Sequence, residues 1–242
     1  KARHWERVLE EPADIVAVAG GDGTVGKVTK RLRGRSVPVA VLPTGTANNI
    51  AKTLGLTNRP LEELIDGWKA AAHLKFDIGM ANGPWGPMFF TEGLGTGFFT
   101  DTMHRLYTTD KIDLPSSDHA GEKKVSILKL LKQRLQSCPA RKMKILLDGK
   151  DMSGDYILLE AMNIQCLGPN LWLAPCANPG DGFLDVVLVS PADQSKLSSY
   201  LSDCIEGKLS QPRFVVRRGQ YLQIEAKDLV FHIDDETWPS QS

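Results

Sequence analysis

The apolar run Ile15-Val16-Ala17-Val18-Ala19 ends abruptly in Gly20-Gly21-Asp22-Gly23-Thr24. A β-branched run closed by consecutive glycines reads as a buried strand that turns sharply. Glycine permits positive φ and lets backbone N–H groups close on a bulky anion with no Cβ in the way. Residues 25–33 continue as a helix whose N-terminus faces the turn. Residues 37–42 then form a second β-branched strand. The unit is βαβ, which predicts a parallel strand pair with a right-handed crossover. Ligands of such sheets bind beyond the carboxyl ends of the strands, and a helix N-terminus there favours phosphate. An ordinary tight turn is the plainer alternative. The full string GGDGT after a clean buried strand favours a phosphate-handling loop.

The next strand end repeats the pattern. Pro43-Thr44-Gly45-Thr46-Ala47-Asn48-Asn49 runs into a short helix that Gly55 closes. A helix needs one N-cap residue. Here Thr44, Thr46 and Asn48 offer three around Gly45, so part of the set is expected to contact a polar ligand. Residues 1–12 are expected as a helix with Trp5, Val8 and Leu9 on one face. Residues 60–72 are expected as another, with Leu61, Leu64, Ile65 and Trp68 as a core stripe.

After Lys75 the pattern shifts to short alternating segments and turns, so residues 1–74 read as an α/β unit and 75–242 as a β-rich one. Strands are expected at 76–81 and 88–92. Gly93-Leu94-Gly95-Thr96-Gly97-Phe98 is read as the opening of a helical stretch through about Leu106, followed by a loop over 107–121. Residues 122–137 make an amphipathic helix; its basic face is expected to be solvated, with anionic lipid headgroups as the minority reading. A hairpin is expected from 142–147 through Asp148-Gly149 to 156–164. Further strands are expected at 183–189, 214–217, 221–226 and 229–233, with a helix at 194–206. The chain ends near Asp234-Asp235-Glu236, three acids after an apolar strand, where a carboxylate beside a cleft could serve as a general base.

The 242 residues suffice for one large or two modest domains. A formal net charge of zero argues against a nucleic-acid partner. No apolar run approaches the ~20 residues of a membrane span, and no signal-peptide pattern opens the chain. Lys1–Arg7 looks like the middle of a helix, and without an initiator Met the natural N-terminus is expected to begin earlier. Cys138, Cys166, Cys176 and Cys204 are scattered, as buried thiols of a cytosolic protein would be.

Together, GGDGT, PTGTANNIAKTLG, LAPCANPGDGFLDVVLV and HIDDE resemble the motifs of the diacylglycerol and sphingosine lipid kinase catalytic domain, with the bacterial soluble lipid kinases most similar. The resemblance covers about Asp14 to the end. It implies an N-terminal Rossmann-like βαβ nucleotide domain and a C-terminal β-sandwich-like domain, with the active site between them. It implies ATP held by Gly20, Gly21, Asp22, Gly23 and Thr24, with Thr44, Gly45, Thr46 and Asn48 lining the same site. It implies Asp234 and Glu236 at the acceptor hydroxyl, one of them the base, and a Mg²⁺ site at Asp181 and the Phe183 carbonyl.

The reaction would be phosphoryl transfer from ATP with Mg²⁺ to a lipid hydroxyl such as that of diacylglycerol, at a membrane surface, by a cytoplasmic, peripheral protein. A homodimer is compatible with the sequence. Three departures stand out. The family's asparagine–proline–serine–glycine strand has no counterpart here and is expected to lie outside this chain, leaving a bare sheet edge. Asp235 replaces a glycine, and Thr91-Glu92 stands near a usual asparagine. A kinase of another acceptor such as NAD, a non-catalytic nucleotide- or lipid-binding regulator, and a structural β-rich partner remain as alternatives.

Overall fold

The structure is a computed structural model that describes residues 2–108, 120–208 and 210–239. The expected 107–121 loop therefore falls almost wholly outside the described residues.

Helix α1 (Ala2–Val8) leads to Leu9, which is buried with Trp5 packed against the same cluster, whereas Val8 is 54% exposed. Strand β1 (Val16–Gly20), helix α2 (Asp22–Arg31) and strand β2 (Val39–Pro43) form the βαβ unit, with β1 and β2 parallel from Val16↔Val39 to Gly20↔Pro43. Among the described residues β1 pairs with no other strand. Val25, Val28 and Leu32 form the inner stripe of α2 and pack on Val18 and Val41. Helix α2 starts three residues earlier than the pattern predicts. Gly21 is its extended N-cap, so Asp22, Gly23 and Thr24 form its first turn, with the acidic side chain where a helix favours negative charge.

Helix α3 (Asn49–Thr53) follows Asn48, which adopts the left-handed conformation at φ 53°. Helix α4 (Leu61–Asp66) is shorter than expected, because Gly67 breaks it before a 3₁₀ turn at Trp68–Ala70. Its apolar stripe is not core: Leu64 alone is buried, and Leu61 and Ile65 are 37% and 44% exposed.

Strands β3 (Gly79–Gly83) and β4 (Gly86–Phe90) pair as a hairpin. The expected helix start at residue 93 is instead strand β5 (Gly93–Gly97), and helix α5 (Phe98–Thr108) begins only after it. Its glycines answer to close approach within a sheet. A Cβ on Gly95 would collide with the Glu160 carboxylate, and one on Gly93 would come 3.0 Å from the Ala161 carbonyl oxygen. Helix α6 (Ala120–Leu135) buries Leu128, Leu131 and Leu135, the stripe its periodicity predicts.

Strand β6 (Arg141–Leu147) turns at Asp148-Gly149, both at positive φ as a tight hairpin requires. The returning chain is split. Strands β7 (Lys150–Asp151) and β8 (Gly154–Tyr156) pair with β6, then β9 (Leu158–Met162) crosses into the opposite sheet. Strand β10 (Leu184–Val189), helix α7 (Gln194–Ile205), and strands β11 (Val215–Gly219), β12 (Leu222–Glu225), β13 (Val230–Ile233) and β14 (Glu236–Pro239) complete the chain.

The larger sheet runs β11-β10-β9-β5-β13-β14, and the smaller runs β12-β6-β7 with β8 also on β6. Strand alternation divides the core into two layers. Leu158, Met162, Val187 and Val189 meet α5, α6 and α7 on one face. Leu159, Ala161, Val186, Leu188 and Phe231 meet Met143 and Ile145 of the smaller sheet on the other. The N-terminal α/β unit joins this sandwich through Ile164, which is fully buried in the βαβ core.

Candidate functional site

The two glycine loops lie side by side. The Thr44 N–H donates to the Gly20 carbonyl at 3.3 Å, extending the strand pairing into the loops. Gly21 and Gly45 then touch backbone to backbone. A Cβ on Gly21 would lie 3.1 Å from Gly45 Cα, and a Cβ on Gly45 would collide with Gly21. Asn48 shapes the second loop from within: its Oδ1 accepts from the Gly45 N–H at 3.0 Å and its Nδ2 donates to the Gly45 carbonyl at 2.8 Å. Its expected ligand-binding amide is thus engaged by its own loop. Thr24, Thr44 and Thr46 are exposed. Asp22, Gly23 and Thr46 line a cleft of about 250 Å³, while Gly20, Gly21, Thr24, Thr44, Gly45 and Asn48 are not part of that lining. Asp22 also ties the loops together, its Oδ1 accepting from the Ile50 N–H at 2.8 Å.

The cleft has a second, apolar wall. Phe99 and Met103 of α5, Ile127 of α6 and Leu167 form it, with Lys123 and Lys124 of α6 beside them. Polar chemistry from the glycine loops and an apolar groove therefore share one space.

The β13–β14 turn forms the floor, with Asp234 and Asp235 in the cleft lining and Glu236 outside it. Asp234, at φ 52°, has both oxygens occupied. Oδ1 accepts from the Thr91 and Glu92 N–H groups at 3.0 and 2.8 Å, and Oδ2 meets the Lys30 ammonium at 2.8 Å and the Thr91 hydroxyl at 3.3 Å. This carboxylate latches α2 to the sandwich. Glu236 is exposed on β14, paired with Ile233, and is absent from the cleft lining. Asp235 lines the cleft opposite Gly23, where a Cβ would lie 3.4 Å from Asp235 Oδ2.

Two residues given no role from the sequence, Asn49 of the PTGTANN string and Glu92 near the family's usual asparagine, occupy the centre. Asn49, 2% exposed, donates from Nδ2 to Glu92 Oε2 at 3.3 Å and to the Gly168 carbonyl at 3.2 Å, and its Oδ1 accepts from Asn170 Nδ2 at 2.8 Å. It bridges the α/β unit to the sandwich. Glu92 is 9% exposed, and burial, reinforced by the charges of Asp22 and Asp234, holds its carboxyl well above its ordinary value of 4.5. The available signal was an acid at the end of an apolar strand, Met88-Phe89-Phe90, where a solvated turn would not require one.

Below them, Glu160 on β9 is completely buried, and its Oε2 lies 2.6 Å from His232 Nε2. Among the described residues its Oε1 has no hydrogen-bond partner. Burial raises the Glu160 carboxyl. The same burial works against a charged His232, yet the Glu160 charge and hydrogen bond outweigh it and raise His232. His232 Nδ1 reaches the Asp234 carbonyl at 3.0 Å, and Phe99 packs edge-on against the imidazole.

The expected Mg²⁺ residues lie away from this cleft. Asp181 Oδ2 pairs with Arg218 at 2.5 Å and its Oδ1 accepts from the Phe183 N–H at 3.0 Å. A guanidinium already neutralises the carboxylate, so this arrangement does not fit a dication. Among the described residues no three His, Cys, Asp or Glu side chains gather as a metal site. No helix among them is long and apolar enough to cross a membrane.

Comparisons with known proteins identify the family and the fold. Residues 1–81 match the family model of the diacylglycerol kinase catalytic domain, and residues 119–241 match that of the YegS C-terminal NAD kinase beta sandwich-like domain. The chain is 29% identical over 204 residues to a diacylglycerol kinase of Mycobacterium tuberculosis, covering 81% of this chain and 62% of that protein. A diacylglycerol kinase of Bacillus subtilis is 24% identical over 81% of this chain and 61% of its own length. A Pseudomonas aeruginosa protein named "Probable lipid kinase YegS-like" is 29% identical over 96% and 76%. The chain thus spans about three fifths of the length of the first curated relatives it matches. The crystal structure of a diacylglycerol kinase from Bacillus anthracis superposes with a TM-score of 0.68 at 21% identity, covering 97% of this chain and 74% of that one, which places the fold. From its two matched regions, this chain belongs to the family that joins a diacylglycerol kinase catalytic domain to a YegS-type C-terminal domain.

Proposed function

We propose that this chain carries out ATP-dependent transfer of the γ-phosphate to the hydroxyl of a lipid such as diacylglycerol, with the protein peripheral to a membrane. The observation that carries this reading is the shared cleft, in which Asp22, Gly23 and Thr46 face the apolar wall of Phe99, Met103, Ile127 and Leu167. A kinase of a polar acceptor would have no use for that wall. Gly21 and Gly45 pack the two loops backbone to backbone, and phosphate oxygens would lie against the main-chain N–H groups at the start of α2, where the helix dipole favours them. Phosphoryl transfer needs in-line positioning and neutralisation of charge more than covalent help. A Mg²⁺ ion would enter on the nucleotide, where it neutralises the phosphates. Lys123 and Lys124 beside the apolar wall suit a phosphorylated product or an anionic bilayer surface.

The test is labelled-ATP transfer by the full-length protein across vesicles containing diacylglycerol, phosphatidylglycerol, sphingoid bases or polyprenols, with NAD as a soluble comparison. Phosphorylation of a lipid alcohol is expected. Phosphorylation of NAD alone, or of nothing, overturns the proposal. Met103→Glu and Ile127→Glu should raise the KM for lipid and leave ATP binding unchanged.

A further inference from the structure

We propose that Glu92 is a catalytic residue that takes the proton from the acceptor hydroxyl. The assignment rests on the kinase reading above and deepens it. Glu92 lies between β4 and β5 and lines the cleft together with Asp22 and Gly23. Its main chain is fixed on both sides, because its N–H donates to Asp234 and its carbonyl accepts from the Asn163 N–H at 2.9 Å. Its side chain is held at one oxygen only. Asn49 donates to Oε2, and Asn49 is itself oriented by Gly168, Asn170 and Cys166. Among the described residues no hydrogen bond is formed to Oε1. A carboxylate anchored at one oxygen and open at the other can accept a proton along a fixed direction. Of the other carboxylates, Asp234 is bonded at both oxygens and Glu236 lies outside the cleft. Asp235 is solvent-exposed, and Asp22, in the first turn of α2, accepts from the Ile50 N–H, so Glu92 is the buried one in the cleft lining with an open oxygen.

The surroundings suit the role. Burial first, then the charges of Asp22, Asp234 and Asp235, push the Glu92 carboxyl upward, against the hydrogen bond from Asn49. Lys30 on α2, Lys52 on α3, Lys123 and Lys124 on α6, Cys166, and the Glu160–His232 pair are the other ionisable groups around it. A carboxylate whose pKa is raised toward the working pH is a stronger proton acceptor for as long as it stays ionised. In the step, the acceptor oxygen bonds to the γ-phosphorus as the bond from that phosphorus to the β–γ bridging oxygen breaks. The bond's electron pair leaves on ADP, the hydroxyl proton passes to Glu92, and solvent later removes it.

Glu92→Gln in the full-length protein tests this, because the amide keeps the size and can still accept from Asn49. Its transfer rate is expected to fall by about 10²–10⁴-fold, the range for a lost general base. Its ATP affinity by calorimetry is expected to stay within a few-fold. Wild type should show an acid limb in kcat/KM that Glu92→Gln lacks, and Glu92→Asp should restore part of the rate. A Glu92→Gln rate within threefold of wild type, or an unchanged acid limb, overturns the assignment. If wild type phosphorylates no lipid, the kinase reading fails first, and slow ATP hydrolysis then poses the same proton transfer with water as acceptor. Equal hydrolysis by wild type and Glu92→Gln overturns the assignment, and a hundredfold loss sustains it. A wild type inert toward water as well overturns both. Thermal melting guards against misfolding, and Glu92→Gln is expected to melt no lower than wild type at neutral pH.

Discussion

The Lys30 ammonium stands 2.8 Å from Asp234 Oδ2 and joins residues 204 positions apart in the chain. The Asp234 side chain is only 6% exposed, so the pair is largely screened from water. Lys30→Met is expected to lower the unfolding free energy by about 1–3 kcal/mol, since a buried carboxylate loses its counter-charge. Asp234→Ala should cost about 2–4 kcal/mol, because the Thr91 and Glu92 N–H groups lose their acceptor as well. The double variant should be less destabilised than the sum of the two, as urea denaturation would measure.

The two glycine loops should respond unequally to a methyl group. Gly45→Ala drives its Cβ into the Gly21 backbone, whereas Gly21→Ala meets Gly45 Cα at a tight but tolerable 3.1 Å. Gly45→Ala is expected to abolish measurable ATP binding by calorimetry and to cost about 1–3 kcal/mol of stability. Gly21→Ala should weaken binding by a smaller factor.

Gly95 and Glu160 should behave as a lock and its cut-out. Gly95→Ala places a Cβ into the Glu160 carboxylate and is expected to destabilise the sandwich by about 1–3 kcal/mol. Combining it with Glu160→Ala, which vacates that space, should recover part of the loss. An additive pair in thermal melts would show that the collision is not what makes glycine necessary there.

Thiol reactivity should separate the cysteines. Burial pushes the Cys166 thiol up to about 12 and Cys138 up to about 11, while Cys176 is exposed. Ellman's reagent at pH 8 is expected to modify Cys176 rapidly and Cys166 only as fast as the protein unfolds.

Glu92 should leave a signature in stability against pH. Its folded pKa lies above the ordinary 4.5, so the folded state holds a proton that the unfolded chain releases. Stability therefore falls as pH rises from about 4.5 through the raised folded value, then levels off. Glu92→Gln removes that term. Its melting temperature is expected to match wild type near pH 4 and to exceed it increasingly above, in differential scanning calorimetry across pH 4–8.

The βαβ unit was legible because a β-branched run, a glycine turn and a helical stripe are all local signals. Most sandwich strands were legible from alternation, although β14 was not. Strand β5 was not, since Gly93, Gly95 and Gly97 carry no hydrophobic period, and the reason for glycine at 95 lies 65 residues away in Glu160. The stripe of α4 misled because Leu61 and Ile65 obey helical spacing without a partner to cover them. In the site, the glycine loops announced themselves by composition. Asn49 and Glu92 did not, because their meaning is an encounter between α3 and the β4–β5 connection that no spacing in the chain records.

Helix α2 begins at the Gly21 cap and carries Lys30 near its other end, with Arg33 just beyond it stacked 3.5 Å over the Phe89 ring. Ten residues of α-helix make a rod of roughly 15 Å. Its far end is bolted to the sandwich and its near end holds the Gly21–Thr24 turn. For the proposed kinase, any shift of that far end would carry the turn with it, so the lipid side and the nucleotide side of the cleft would share one rigid lever.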